Sequence, residues 1–147
     1  MTKVQFFHGA SDRVTAAAAW LQLAWAKRKD SSPQQVIVYA PDARIAEQID
    51  RQLWLHPAGS FLPHCRSNSP LADETPIVIS DSLAALNCSL QLLNLGDEVP
   101  PEFSRYEQVI EIVSQSGPDK LPARERFKFY RERGYELQNK DVSTGFQ

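Results

Sequence analysis

Val36-Ile37-Val38-Tyr39-Ala40 (VIVYA) is an uncharged run with three β-branched residues in its first three positions. A strand with one wet face would alternate apolar and polar residues. A continuous run of this kind matches a strand buried on both faces, as in a parallel sheet. Upstream, Val4–His8 (VQFFH) is a second apolar, aromatic-rich segment. It closes at Gly9-Ala10-Ser11-Asp12, a turn that offers Ser11 or Asp12 as a helix N-cap. Between the two runs, Val14, Ala17, Ala18, Leu21, Ala24 and Trp25 recur at helical spacing. They lead into Lys27-Arg28-Lys29, cations that suit a helix C-terminus, and Asp30-Ser31-Ser32-Pro33 breaks the pattern. Downstream, Pro41-Asp42 opens a second helix with Ile45, Ile49 and Leu53 on one side. This β-α-β-α opening requires a crossover connection. It predicts an α/β fold in three layers, with a mainly parallel, mixed central sheet flanked by helices.

After Trp54 the pattern changes. Residues 56–64 (HPAGSFLPH) and then 67–74 form a long irregular connection, and such connections inside a compact domain are usually functional. Pro76–Ser80 (PIVIS) reads as a strand, and Leu86–Leu95 as another, with helix an alternative for the latter. Pro100-Pro101 starts a helix or turn, Tyr106–Val113 (YEQVIEIV) alternates as a final long strand, and Val142–Gln147 is expected to fray. No internal repeat or low-complexity segment interrupts the chain, and residues 1–147 are expected to form one domain.

The 147 residues suffice to bury roughly two thirds of the unfolded surface. The net charge of −2 conceals an asymmetry. Between Gly117 and Tyr135 six Lys/Arg face three Asp/Glu, a local charge of +3 that leaves −5 for the remainder. An acidic body with one basic segment argues against broad nucleic-acid binding, which needs a basic face, and favours a focused anionic partner. Cys65 and Cys88 supply neither a disulfide framework nor metal-ligand spacing, and read as free thiols of a reducing compartment. The N-terminus lacks the pattern of a signal peptide. The run Thr15–Trp25 is too short to span a bilayer. A cytoplasmic protein is expected.

The chemistry the sequence offers is sparse. The junction after the first strand carries only Gly9, with no G-x-G-x-x-G and no G-x-x-x-x-G-K-[ST] to wrap a phosphate, so an ordinary turn is the stronger reading. His8, His56 and His64 share no metal spacing, no G-x-S-x-G elbow is present, and Cys65 beside His64 cannot turn back to meet it. Asp73-Glu74 and Asp97-Glu98 are expected to be solvated. Neither a catalytic residue nor a cofactor nor a metal site is expected. A small α/β hydrolase or nucleotide-binding enzyme using His8, His64 or Cys65 stands as the alternative.

Two stretches carry more. In Pro118–Leu137 (PDKLPARERFKFYRERGYEL), Lys120, Arg124, Lys128 and Arg131 fall three or four residues apart and share one helix face, with Phe127 and Tyr130 interleaved. Pro122 suits a first turn and Gly134 a left-handed exit, so a short helix ending at Gly134 is expected. This surface suits an acidic peptide with an apolar tip. The plain alternative is a solvated face whose cations pair with Glu125 and Glu132, and direct DNA binding is a third reading. Trp54, Pro57, Phe61, Leu62 and Pro63 concentrate rigid apolar surface around a loop, either as a satellite core or as a docking patch for a permanent partner.

Taken together, Leu53-Trp54-x-x-Pro57-x-x-Ser60-Phe61-x-Pro63-His64 and Ala123-Arg124-Glu125-Arg126-Phe127-Lys128-x-Tyr130-Arg131 resemble the chi subunit of bacterial DNA polymerase III. The resemblance covers essentially the whole chain, tightly in these motifs and loosely between residues 65 and 108. It implies a Rossmann-like fold without a nucleotide-binding loop, and a clamp-loader accessory subunit without catalysis of its own, in a nucleoid-associated replisome. It also implies two partners: the psi subunit, and the acidic C-terminal tail of single-strand-DNA-binding protein, which ends in phenylalanine. DNA would be engaged only indirectly. Tail-binding positions of the family correspond here to Val113, Lys120, Arg124, Phe127 and Lys128, with Phe127 where the family often has tyrosine. The aromatic loop adds the expectation that Trp54, Pro57, Phe61 and Pro63 face psi.

Overall fold

The computed structural model describes residues 2–27, 35–55, 62–72, 75–83 and 91–146. Seven strands are present among them: β1 (Lys3–Ala10), β2 (Val36–Tyr39), β3 (His64–Arg66), β4 (Ile77–Ser80), β5 (Gln91–Asn94), β6 (Gln108–Ser114) and β7 (Glu136–Asp141). The helices are α1 (Arg13–Ala26), α2 (Ala43–Leu55) and α3 (Gly117–Glu132). The strands form one sheet in the order β3-β4-β2-β5-β6-β1-β7. Every pairing is parallel, so the antiparallel component allowed for in a mixed sheet does not occur among the described strands.

Alternation along the strands sorts the core into two layers. Val36, Val38, Ile77, Ile79, Leu93, Ile110 and Ile112 point to the face covered by α1 and α2. Val4, Phe6, Ile37, Val78, Leu92, Val109 and Val113 point to the face covered by α3, where Ala123 and Tyr130 meet them. Asp12 is the N-cap of α1 and accepts a 2.8 Å hydrogen bond from the Thr15 N–H. α2 buries Ala46, Ile49 and Leu53, one stripe at helical spacing.

Several sequence expectations change in detail. β1 does not end in a turn at Gly9; it continues to Ala10 through an irregularity in its pairing with β6 between Phe7 and Ala10. Gly9 sits there at φ 85°, and a Cβ on it would lie 2.8 Å from Asp141 Oδ1, so both backbone and space require glycine. The 106–113 segment forms β6 from Gln108, preceded by a 3-10 turn at Phe103–Arg105. It does not alternate, because every residue from Val109 to Ser114 is buried, and β7 follows it as a seventh strand. The irregular connection contains the short edge strand β3. Gly134 takes the expected left-handed conformation at φ 79°, just past α3. The tail is held at two points: the Val142 N–H donates to His8 O at 2.8 Å, and Phe146 packs edge-on to Phe7 at 5.2 Å. Residues 84–90, which include the start of the expected strand at Leu86, and Cys88 with them, lie outside the described residues.

Candidate functional site

α3 is seated on the sheet by a buried carboxylate. Glu111, in the middle of β6, is 0% exposed. Arg126 Nε donates to its Oε1 at 3.0 Å, and the Tyr130 hydroxyl and Asn94 Nδ2 donate to its Oε2 at 2.9 and 3.0 Å. Arg126 also donates to Asp97 O at 3.0 Å, which ties α3 to the segment after β5. On the other side of the sheet end, Arg13 donates to the carbonyls of Ile112, Asn94 and Gly96 at 2.9, 3.1 and 2.9 Å. Burial pushes the Arg13 pKa down, helped by the Arg126 charge and opposed by Glu111. Burial, reinforced by the Glu111 charge, pushes the Tyr130 hydroxyl up. Sequence reasoning counted Arg126 in the local charge and interleaved Tyr130 with the basic stripe; the structure buries both against Glu111. The available signal was the lone glutamate inside the apolar run Val109–Val113, since a buried carboxylate needs a cation or several donors.

With Arg126 directed toward β5 and β6, the opposite flank of α3 faces β1 and β7. Phe127 lies there, half-buried and edge-on to Phe6 of β1 at 5.2 Å and 70°. Lys120, Arg124, Lys128 and Arg131 are exposed along this side and outward from it. Among the described residues, the side chains of Lys120, Arg124 and Lys128 form neither an ion pair nor a hydrogen bond, and the pairing with Glu125 and Glu132 is not made. The Arg131 guanidinium stands 6.0 Å from the Phe127 ring centre, a cation–π distance. Val113, at the end of β6, is 8% exposed and belongs to the apolar cluster against which Phe127 packs. Lys120, Arg124 and Lys128 follow one another at steps of about 6 Å along the helix.

The second candidate surface is at the far edge of the sheet. Trp54 at the end of α2 is 63% exposed, with Leu55 exposed beside it. The Trp54 ring meets the His64 ring edge-on at 4.8 Å. His64 Nδ1 is 2.7 Å from Leu62 O and Nε2 is 3.0 Å from Asp50 Oδ1, so this imidazole anchors β3 to α2. Leu62 is core, and Pro63 is half-buried next to it. Pro57 and Phe61, the other two residues expected on this surface, lie outside the described residues, as does His56.

The third feature is a cavity of about 650 Å³ at the C-terminal ends of β1, β2 and β5, where doubly wound folds bind ligands. Its wall carries Asp12, Asp42, Asp97, Glu98 and Asp119. Asp12 and Asp42 cap helix starts: the Asp42 carboxylate accepts from Arg44 N–H at 2.9 Å, as Asp12 does from Thr15. These carboxylates occupy the positions a phosphate would take at a helix N-terminus and give the cavity the wrong sign for one. Tyr39 lines it too, its hydroxyl pKa pushed up first by burial and then by Glu98 and Asp81. Asp97 and Glu98 are exposed. His8 is exposed on β1, and Cys65 is a half-buried free thiol on β3. Among the described residues no group of three or more His, Cys, Asp or Glu could hold a metal, and no described helix is long and apolar enough to cross a membrane.

An all-parallel α/β sheet with an acidic cavity at its ligand end, and with Lys120, Arg124 and Lys128 exposed along one helix, defines a fold of nucleotide-binding type whose ligand end carries the wrong charge for a phosphate. Comparison with known proteins names the class. A family model described as DNA polymerase III chi subunit, HolC, matches residues 1–138, and the chain belongs to that family. The DNA polymerase III subunit chi of Pseudomonas aeruginosa is 28% identical over 143 residues, covering 95% of this chain and 96% of that protein. The subunit chi of Haemophilus influenzae is 32% identical over 113 residues, 76% of this chain and 78% of that one. That of Escherichia coli is 29% identical over 112 residues, 72% of this chain and 73% of that one. The chain is accordingly an accessory subunit of the replicative DNA polymerase.

Proposed function

We propose that this chain is a non-catalytic bridge in the cytoplasmic replication machinery, joining the clamp loader, through the psi subunit, to single-strand-DNA-binding protein by its acidic C-terminal tail. The observation that carries the reading is the row Lys120, Arg124 and Lys128, without internal ion pairs, beside the half-buried Phe127. Arg124 clamps the terminal carboxylate of the tail with a two-pronged, charge-assisted contact. Phe127 and Val113 wall the pocket for the terminal phenylalanine, and Lys120 and Lys128 attract the acidic residues before it. Phe127 supplies ring surface without a hydroxyl. The exposed Trp54 and the half-buried Pro63, with Pro57 and Phe61, form the face for psi, because an exposed tryptophan at a helix end is the type of anchor that dominates stable interfaces.

The test is a titration of an acidic peptide ending in Asp-Ile-Pro-Phe, beside the same peptide without the final Phe, at low and moderate salt. Binding on the order of micromolar is expected, weakening with salt and lost with the Phe. Arg124→Lys is expected to lose most of the affinity, since an ammonium cannot reproduce the guanidinium fork. Wild-type affinity in that variant would remove the clamp from the mechanism. Many tails on an oligomeric partner would raise the effective strength by avidity.

A further inference from the structure

We propose that the open edge of β7, beside the basic flank of α3, takes the acidic peptide as an added β-strand, so that the peptide is held by backbone hydrogen bonds as well as by side chains. The inference rests on the tail-binding reading and extends it to a second set of contacts upstream of the terminal residue.

β7 ends the sheet and pairs only with β1, and no other described backbone or side chain hydrogen-bonds to the main chain on its outer side. Five of its six residues are exposed. In the sheet register, Phe6 of β1 stands between Glu111 of β6 and Asn139 of β7. Arg126 reaches Glu111, while Phe127, the next residue of α3, covers Phe6. The flank carrying Phe127, Arg124, Lys120 and Arg131 is thus turned toward the β7 edge.

The residues of β7 on the α3 side are Leu137, Asn139 and Asp141, in register with Val4, Phe6 and His8, and the first two are uncharged. Glu136 and Gln138 lie on the opposite face, held by Lys3 at 3.8 Å and Gln5 at 3.0 Å. Charged edge strands usually repel added strands; here the one charge on the α3 side of the edge is Asp141 at its very end, whose carboxylate is occupied by the Ser143 N–H, and the neighbouring wall is cationic. The stretch Lys120–Arg131 spans about 16 Å along the helix, and six residues of β7 span about 20 Å. Either length matches five or six residues of an extended peptide. In such a strand alternate side chains turn to one face, so every second acidic residue meets the cations of α3. A nucleic acid offers charge but no alternating N–H and C=O groups for the edge.

The experiment is amide hydrogen exchange of the intact protein with three probes. These are a ten-residue acidic peptide ending in Asp-Ile-Pro-Phe, the four-residue peptide alone, and the long peptide N-methylated at alternate upstream positions. Both unmethylated peptides are expected to require Arg124, whereas only the long one slows exchange across Glu136–Asp141. N-methylation is expected to weaken the long peptide about tenfold, the worth of one or two net hydrogen bonds. Arg124-dependent binding of the long peptide with β7 exchange unchanged, or with no effect of methylation, would overturn strand addition and leave the tail-binding reading intact. Failure of every peptide to bind would overturn both. Equal slowing of β7 exchange by a single-stranded oligonucleotide would also overturn the assignment.

Discussion

Arg126 Nε lies 3.0 Å from Glu111 Oε1, with the arginine 2% and the glutamate 0% exposed. This pair joins the helix bearing the basic surface to the sheet it rests on. Breaking it from one side takes the nearest cation from a buried carboxylate, with Arg13 Nη2 left at 3.9 Å, and is expected to cost up to about 3–5 kcal/mol. Replacing both partners of a buried pair by apolar residues of similar volume is often close to neutral. Arg126→Met is therefore expected to lower the urea midpoint sharply. Adding Glu111→Leu is expected to restore much of the loss, the remainder coming from the Tyr130 and Asn94 donors and from Arg13, which loses its buried counter-charge. Two additive losses in the double variant would show that the pair is not coupled.

Tyr130 provides a pH signature. Its hydroxyl donates to Glu111 Oε2 at 2.9 Å, and burial next to that carboxylate raises its pKa above the ordinary 10.0. Above about pH 10 the unfolded chain releases this proton and the folded chain keeps it. The folded state then binds more protons, so stability falls as pH rises, by up to about 1.4 kcal/mol per pH unit for this one group. Below that range its contribution is fully present. Unfolding followed between pH 9 and 11 should show a steeper decline in the wild type than in Tyr130→Phe; parallel curves would remove Tyr130 as the cause.

Gly9 holds a left-handed conformation inside a strand and faces Asp141 at the closing end of β7. Gly9→Ala is expected to cost about 1–3 kcal/mol through backbone strain and the steric clash together. Hydrogen exchange should then speed up first at β7 and at Val142, whose N–H is held by His8 O. An unchanged thermal midpoint would contradict the geometry.

The lysines flanking Arg124 are exposed and without internal ion pairs, so they can change binding without changing folding. Lys120→Gln and Lys128→Gln are each expected to weaken the acidic peptide by about two- to fivefold at low salt and to flatten its salt dependence. Their urea midpoints should stay at the wild-type value. A salt dependence unchanged in both variants would move the peptide elsewhere.

Trp54 separates a docking patch from a satellite core. At 63% exposure its removal is expected to cost under about 1 kcal/mol of stability, although it touches His64. Trp54→Ala should instead abolish co-purification with psi while leaving peptide affinity unchanged. Retention of psi by a folded Trp54→Ala protein would exclude this face.

The α/β class, the helices α1, α2 and the body of α3, and the strands β1, β2, β4 and β6 were legible in the sequence because each is set by local periodicity. The start of α3 was not, since Pro122, expected in its first turn, lies inside a helix that begins at Gly117. Val36–Ala40 has the pattern of a doubly buried strand, Ser11 or Asp12 offered the N-cap that the structure assigns to Asp12, and Gly134 marks a helix exit, all through chemistry that acts within a few residues. The exposed row Lys120, Arg124 and Lys128 follows from spacing alone. Tertiary structure decided what spacing cannot: strand order, the all-parallel pairing, β3 and β7, and the fate of Arg126 and Glu111. Helical periodicity placed Arg126 within one turn of Arg124 and gave both the same charge. Only the approach of Glu111, fifteen positions away in the chain and across the gap between sheet and helix, buries one as an anchor while the other stays exposed. Local preferences act over a turn or a strand; burial of a charge depends on the distant partner that folding brings to it.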